Sequence, residues 1–253
     1  MNVIGLKTFV AREVQRAFRV YIQTILSPLI NALLYILIFG VVVGSTIQSV
    51  GGFSYIDFVL PGILMLNLIN SAFSQTSSSL YFQRFAKHIE EILVAPLSHM
   101  EMIAGYVIAG VARGLIVGLG VYVIALIFSA ATIAHLGLFI LYTIAVAVIF
   151  SLLGLLVALW AQNFEQLSIL SVFVITPLTF LGGVFNSVTM LPSSVQTIAL
   201  FNPFFYFVDG LRYAMIGVRE GNAMVGWMVI IGLIVLCGGL VWRLFTIGWR
   251  LRT

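Results

Sequence analysis

Between two long apolar runs lies Phe82-Gln83-Arg84-Phe85-Ala86-Lys87-His88-Ile89-Glu90-Glu91-Ile92-Leu93-Val94-Ala95-Pro96-Leu97-Ser98-His99-Met100-Glu101. Phe82, Phe85, Ile89, Ile92 and Leu93 recur at three and four residues, which predicts a short amphipathic helix. Ala95-Pro96 should end it, because proline disfavours helical backbone in the residue before it. A charged helix between two apolar runs must lie in water or at a membrane surface. It is either an ordinary solvated loop or a handle by which a soluble partner grips and moves the protein.

The flanking runs decide the class. The chain of 253 residues is 62% hydrophobic and only 8% charged, with a mean hydropathy of +1.17, whereas soluble domains carry about 25% charged residues. Spans of about 20 residues are what a bilayer core demands of a helix. They are expected at 22–43, 57–80, 102–128, 137–161, from about 167 onward, and at 223–242. The basic N-terminus and first apolar run superficially resemble a signal peptide. That run is too long for an h-region and no small-residue cleavage motif follows it, so it is expected to be a retained span.

Ahead of it, Val3, Leu6, Val10, Val14, Ala17, Phe18 and Tyr21 fall at helical spacing, with Lys7, Arg12, Arg16 and Arg19 on the other side. This predicts a helix in the membrane interface, or an amphipathic helix packed on a soluble partner. Six spans place both chain ends on one side. Lys7, Arg12, Arg16, Arg19, Arg84, Lys87, Arg243, Arg250 and Arg252 fall on that side, against Arg212 and Arg219 opposite. The excess of positive charge assigns both termini and the 82–101 stretch to the cytoplasm.

The connection between spans five and six is unusual. After Pro177 come Gly182-Gly183, then Leu191-Pro192, then Asn202-Pro203. Proline at a first helical position after a capping asparagine is a start signal. Two short helices too apolar for water predict a re-entrant hairpin, whose backbone must be covered by protein or face a wet cavity. An external loop is the alternative. The expected fold is therefore an all-α membrane protein in one transmembrane domain. Its parts are an interfacial helix (1–21), spans one and two (22–80), a cytoplasmic loop (81–101), spans three to five (102–185), the hairpin (186–222), span six (223–242) and a tail (243–253).

Several chemistries lack candidates. The lone Cys237 excludes an internal disulfide and a cysteine metal cluster. No phosphate-binding G-x-x-x-x-G-K-[ST] loop occurs, and the histidines form no H-E-x-x-H pair. No G-x-S-x-G elbow is present either. No catalytic, metal or cofactor site is expected in the chain, and no nucleic-acid partner.

Ile89 to Pro96, Val111-Ala112-Arg113-Gly114, Leu178 to Phe185, Leu191-Pro192 and Asn202-Pro203 through Arg212-Tyr213 together resemble the ABC-2 family of ATP-binding-cassette exporter permeases. The match covers nearly the whole chain in the same order. The resemblance implies the permease subunit of a bacterial inner-membrane exporter: a homodimer embedded in the lipid bilayer and driven by a separate ATPase subunit that carries ATP and Mg. It implies outward movement of an amphipathic, glycan, lipid-linked or drug-like substrate. It also implies that the loop between spans two and three docks on the ATPase, with Arg84, Phe85, Ile89, Glu90, Glu91 and Leu93 as the contacts. A secondary transporter would instead need paired intramembrane charges or an inverted repeat, and a membrane enzyme would need a catalytic constellation.

Asn67, Asn70, Ser71, Ser74 and Ser78 form one polar stripe on span two, and Ser168, Ser171 and Thr179 a thinner one on span five. With Ser27 and Asn31 of span one they are candidates for the translocation path, unless they merely hydrogen-bond neighbouring helices. Arg113, deep in span three, should face protein or water, or snorkel to the cytoplasmic surface. Gly110, Gly114 and Gly118 beside it form a ridge that lets another helix approach. Asp209 and Arg212, three residues apart, are expected to pair and, with Pro177, Gly182, Gly183, Asn202 and Pro203, to hold the hairpin.

Overall fold

The computed structural model describes residues 2–47, 49–50, 52–128 and 132–251, so Arg252 and part of the connection after span three lie outside the described residues. Helix α1 (Val3–Arg19) is followed by α2 (Ile22–Val43). A two-residue antiparallel ladder, Ser49–Val50 against Phe53–Ser54, leads into α3 (Tyr55–Phe85). Then come α4 (Ile89–Val94), α5 (His99–Phe128), α6 (Leu136–Trp160) and α7 (Phe164–Leu181). Two short helices, α8 (Ser193–Phe201) and α9 (Pro203–Ile216), precede α10 (Ala223–Thr246). Among the described residues, helices α2, α3, α5, α6, α7 and α10 are the six long and apolar enough to cross a membrane. The small hairpin before α3 was not anticipated.

Helix α3 is the axle of the bundle and is buried along most of its length, whereas α2 and α7 are largely uncovered. Its turns up to Leu66 are mostly apolar on every face and its later turns carry the polar stripe, so each face needs a protein neighbour or a wet cavity. Leu64, Leu68 and Ala72 pack with Val117 and Val121 of α5 and with Ala147 and Phe150 of α6. Close approach needs small residues. A Cβ on Gly154 of α6 would sit 2.6 Å from the Phe73 carbonyl oxygen, and one on Gly62 would sit 2.6 Å from that of Val184. The ridge of Gly110, Gly114 and Gly118 turns toward α3 and α6, where its nearest neighbours are Thr76, Ser151, Ala72 and Leu64.

A second core gathers Phe9 of α1, Ile89 and Ile92 of α4, Tyr106 of α5, Leu159 of α6 and Phe245 of α10. Residues 2 and 251 therefore lie at one end of the bundle. At this end one expectation, the boundary between span two and the short helix, needs correction. Helix α3 runs on to Phe85 instead of stopping at Leu80, since nothing from Tyr81 to Phe85 breaks a helix. The break comes at Lys87, in the left-handed region with φ 59°, so the separate helix is only Ile89–Val94. Helix α1 packs inward through Phe9, Glu13 and Ala17 and leaves Val3, Phe18 and Tyr21 of its apolar set uncovered by protein.

At the opposite end, Asn202 caps α9 as its Asn-Pro pair foretells: its side-chain oxygen accepts from Phe204 N at 3.1 Å, and its Nδ2 donates to the Leu178 carbonyl at 2.6 Å. Gly183 takes φ 85°, a left-handed turn that a side chain would strain. Asp209 and Arg212 do not pair. Asp209 accepts from the backbone N–H groups of Glu220 and Gly221, at 2.7 and 3.2 Å. Arg212 donates to the carbonyls of Phe58 and Gly183 and lies 3.9 Å over the Phe58 ring. Spacing along one helix brought the two charges near, but loop and helix backbones offered each a better partner.

Candidate functional site

The polar stripe of α3 opens onto a cavity of about 290 Å³ between α2, α3 and α7, with Arg113 of α5 in its wall. Ser27 and Asn31 reach it from α2, Asn67, Asn70, Ser71 and Ser74 from α3, and Ser171 from α7. Asn70 and Asn67 each donate one amide hydrogen to their own helix, to Leu66 O and Ile63 O at 2.9 Å. The Ser171 hydroxyl donates to the Asn70 side-chain oxygen at 3.0 Å, joining α7 to α3 across the wall. Three residues expected on the path lie elsewhere. Ser168 is exposed and bonds the Glu165 carbonyl, and Thr179 is fully buried and bonds the Ile175 carbonyl. Ser78 faces a second cavity, of about 310 Å³, that also holds Arg16, Arg19, Gln75 and Arg113.

The two uncovered helices share a device. In each, a wide turn with i→i+5 bonding precedes a proline: Ser27 N bonds Ile22 O ahead of Pro28, and Thr176 N bonds Ser171 O ahead of Pro177. Proline cannot donate to the carbonyl four residues back and clashes with it, and a widened turn relieves both problems. In α2 that orphan is the Thr24 carbonyl, and Arg113 Nε donates to it at 3.2 Å. Arg113 Nη1 also donates to Gln75 Oε1 at 3.3 Å. The arginine is thus buried against protein and cavity, as the cost of a lipid-facing charge requires.

From Gln75 the polar chain continues to α1. Gln75 Nε2 donates to the Glu13 carbonyl at 3.4 Å. The fully buried Glu13 carboxylate accepts from Gln83 at 2.6 Å and from the Ser79 hydroxyl, and pairs with Arg12 and Arg16 at 3.6 and 3.5 Å. Tyr106 closes the cluster with a hydrogen bond to Gln83. Sequence reasoning passed over Glu13, Gln75 and Gln83. A lone glutamate inside an otherwise apolar-and-basic helix pattern is the signal that could have singled out the first.

Beside this cluster, α1 and the α4 segment enclose a groove of about 440 Å³ lined by Ile4, Thr8, Arg12, Glu91, Ala95 and Pro96, among others. Of the expected docking residues, Phe85, Glu90 and Glu91 are exposed. Leu93 is half-buried, and Ile89 faces inward at 4% exposure, so it belongs to the core and not to a docking surface. Arg84 is engaged as well: it donates to the Ala158 and Leu159 carbonyls, and Arg250 donates to Trp160 O at 2.6 Å. These carbonyls are the orphans of a helix C-terminus, which cations satisfy well. Val94, 87% exposed, and Phe82 are outward apolar groups; Phe82 was read as part of the apolar face, but neither was among the expected docking contacts. The loop is pinned from behind by Glu101, which accepts from Ser98 N at 2.7 Å in a capping box and from Asn2 N.

Comparison with known proteins agrees with this architecture. The chain is 40% identical over 251 residues to the inner membrane transport permease YadH of Escherichia coli (strain K12), covering 99% of this chain and 98% of that protein. It is 26% identical over 210 residues to nodulation protein J of Rhizobium leguminosarum bv. viciae, covering 79% of this chain and 78% of that protein. Residues 5–216 match the model of the ABC-2 type transporter family. Membrane subunits of that family carry no ATPase domain and no cofactor, and they work with an ATPase partner. On a match that spans most of its length, the chain belongs to the ABC-2 type transporter family as a membrane permease.

Proposed function

We propose that this permease moves an amphipathic or glycan-bearing substrate outward across a bacterial inner membrane, as a homodimer powered by a separate ATPase. The observation that carries the reading is the polar cavity between α2, α3 and α7. Polar groups at membrane depth are costly unless protein or water covers them, and here they open between the two helices that the rest of the subunit leaves uncovered. A second copy set against α2 and α7 would turn this cavity into an enclosed path. Its amides and hydroxyls can exchange hydrogen bonds with a hydroxyl-bearing molecule, whereas ion filters are built from closed rings of carbonyls or charges.

The positive charge gathered around α1, the α4 segment and α10 supports a cytoplasmic end there. The ATPase then docks on the groove between α1 and α4, gripping Phe85, Glu90, Glu91 and Val94. Helix α1 lies in the interface with Ile4 and Phe18 toward lipid, and α8–α9 form the hairpin in the outer leaflet. The test is to purify the permease with its ATPase, reconstitute the complex, and replace Asn70 and Ser74 by tryptophan. Assembly should survive and export should cease. Unchanged export with both positions filled would move the path to another face.

A further inference from the structure

Arg113 is more than nine-tenths buried, yet among the described residues the ion pairs within 4.0 Å are those of Glu13 with Arg12 and Arg16. Its two hydrogen bonds go to neutral acceptors, the Thr24 carbonyl and the Gln75 amide. Burial costs a charge much of its hydration and a counter-charge returns most of it; Arg212 is also buried without a carboxylate, so what singles out Arg113 is the open space beside it. The position is also open on two sides, since Arg113 lines both the 290 Å³ and the 310 Å³ cavities. In the wall of the first, the Ser71 hydroxyl is buried with no hydrogen-bond partner. Toward the second stand Arg16 and Arg19, so positive charge continues from the bundle end toward Arg113. Glu13 answers Arg16 from behind, and among the described residues no acidic side chain lines either cavity.

We propose that the cavity receives an anionic group of the transported molecule, a phosphate or a carboxylate, with Arg113 as its counter-ion and the Ser71 hydroxyl as a hydrogen-bond donor. This rests on the cavity lying on the export path. Arginine suits the task because its planar donor fork matches such oxyanions, and two of its donors are already spent on holding it in place. The volume fits a headgroup and not a whole amphiphile, which leaves the apolar portion in the membrane beside α2 and α7.

The experiment uses the permease–ATPase complex in neutral maltoside micelles and reads binding from the thermal unfolding shift. The probes are dihexanoyl phosphatidylglycerol, dihexanoyl phosphatidylcholine and inorganic phosphate. The anionic lipid should bind about tenfold tighter than the zwitterionic one, and the preference should fall below about twofold in Arg113→Gln. Arg113→Lys should keep part of it. Ser74→Asp, at an exposed position of the same cavity, should abolish it by supplying the missing carboxylate without touching the arginine. Displacement of the anionic lipid by phosphate would support a site that reads charge alone, and its failure with the preference intact would support a lipid-borne headgroup. Equal binding of both lipids by the unaltered complex, or a preference that survives Arg113→Gln and Ser74→Asp, overturns the proposal. A complex that exports yet shows no preference refutes only this inference, whereas a chain that binds the anion but recruits no ATPase refutes the exporter and leaves the site.

Discussion

Arg212 and Arg113 are both arginines buried among apolar helices, but their surroundings differ in kind. Arg212, with no exposure, donates Nε and Nη2 to two backbone carbonyls, leaves Nη1 without a partner, and lays its plane over an aromatic ring. Every contact belongs to the fold, and the residue nails the turn at Gly183 to the start of α3 and to α9. Arg113 also serves the fold, by answering the carbonyl that Pro28 leaves open, but it faces two cavities. A buried charge that is fully enclosed is a structural tie, and one that borders empty polar space is available to a ligand. Sequence position does not distinguish the two cases.

The contrast is sharpest in stability. Arg212→Leu should cost about 3 kcal/mol or more, since it strands two buried carbonyls and leaves a cavity. Thermal unfolding in detergent and the monodisperse fraction on gel filtration report it. A variant as stable as the parent would remove the claim that this residue ties the outer end together. Arg113→Leu should cost about 1 kcal/mol or less, because Thr24 and Gln75 border a cavity where water can satisfy them. If both leucine variants lost equal stability, the distinction between tie and site would fail.

Glu13 extends the comparison to the other end of the bundle. Its carboxylate is enclosed like Arg212, but its partners are side chains that can rearrange. Glu13→Gln keeps the shape and loses the charge, so it should cost about 1–2 kcal/mol. Because α1 is held to α3 through this residue, protection of the α1 amides from hydrogen exchange should fall before that of α3. Simultaneous loss in both helices would show that α1 is held mainly by Phe9 and Tyr106, whose rings meet edge to face at 4.9 Å.

What could be read in advance follows the range of each interaction. The six spans were legible because hydropathy is summed over some 20 residues and survives local error. The α3 stripe was legible because Asn67, Asn70, Ser71 and Ser74 repeat at the helical period, and they line one cavity. Asn202-Pro203 was legible because capping is local. The roles of Glu13 and Arg84 were hidden, since the side-chain hydrogen bonds that hold them run to residues 66 and more away, which the local pairs of Glu13 with Arg12 and Arg16 do not foretell. The pairing of Asp209 with Arg212 was misread for a related reason: spacing reports which side chains share a face, not whether backbone donors elsewhere compete for them.

The smallest effect on stability should come from charges that touch nothing. Among the described residues, the exposed side chains of Glu90 and Glu91 make no hydrogen bond or ion pair, although Glu91 borders the groove beside Arg12. Reversing both to lysine should alter unfolding by no more than about 0.5 kcal/mol, as surface substitutions usually do. Repulsion then acts only when the ATPase is present: like charge placed at an interface penalises association and orientation more than it disturbs either partner alone. The doubly reversed permease should fold and insert normally while ATP hydrolysis by the complex no longer drives export, and raising the salt should partly restore coupling by screening. If the variant coupled hydrolysis to export at the parent rate, docking would rest on Phe85, Val94 and the α1 side of the groove, and the exposed carboxylates would be no more than the solvated face of a loop.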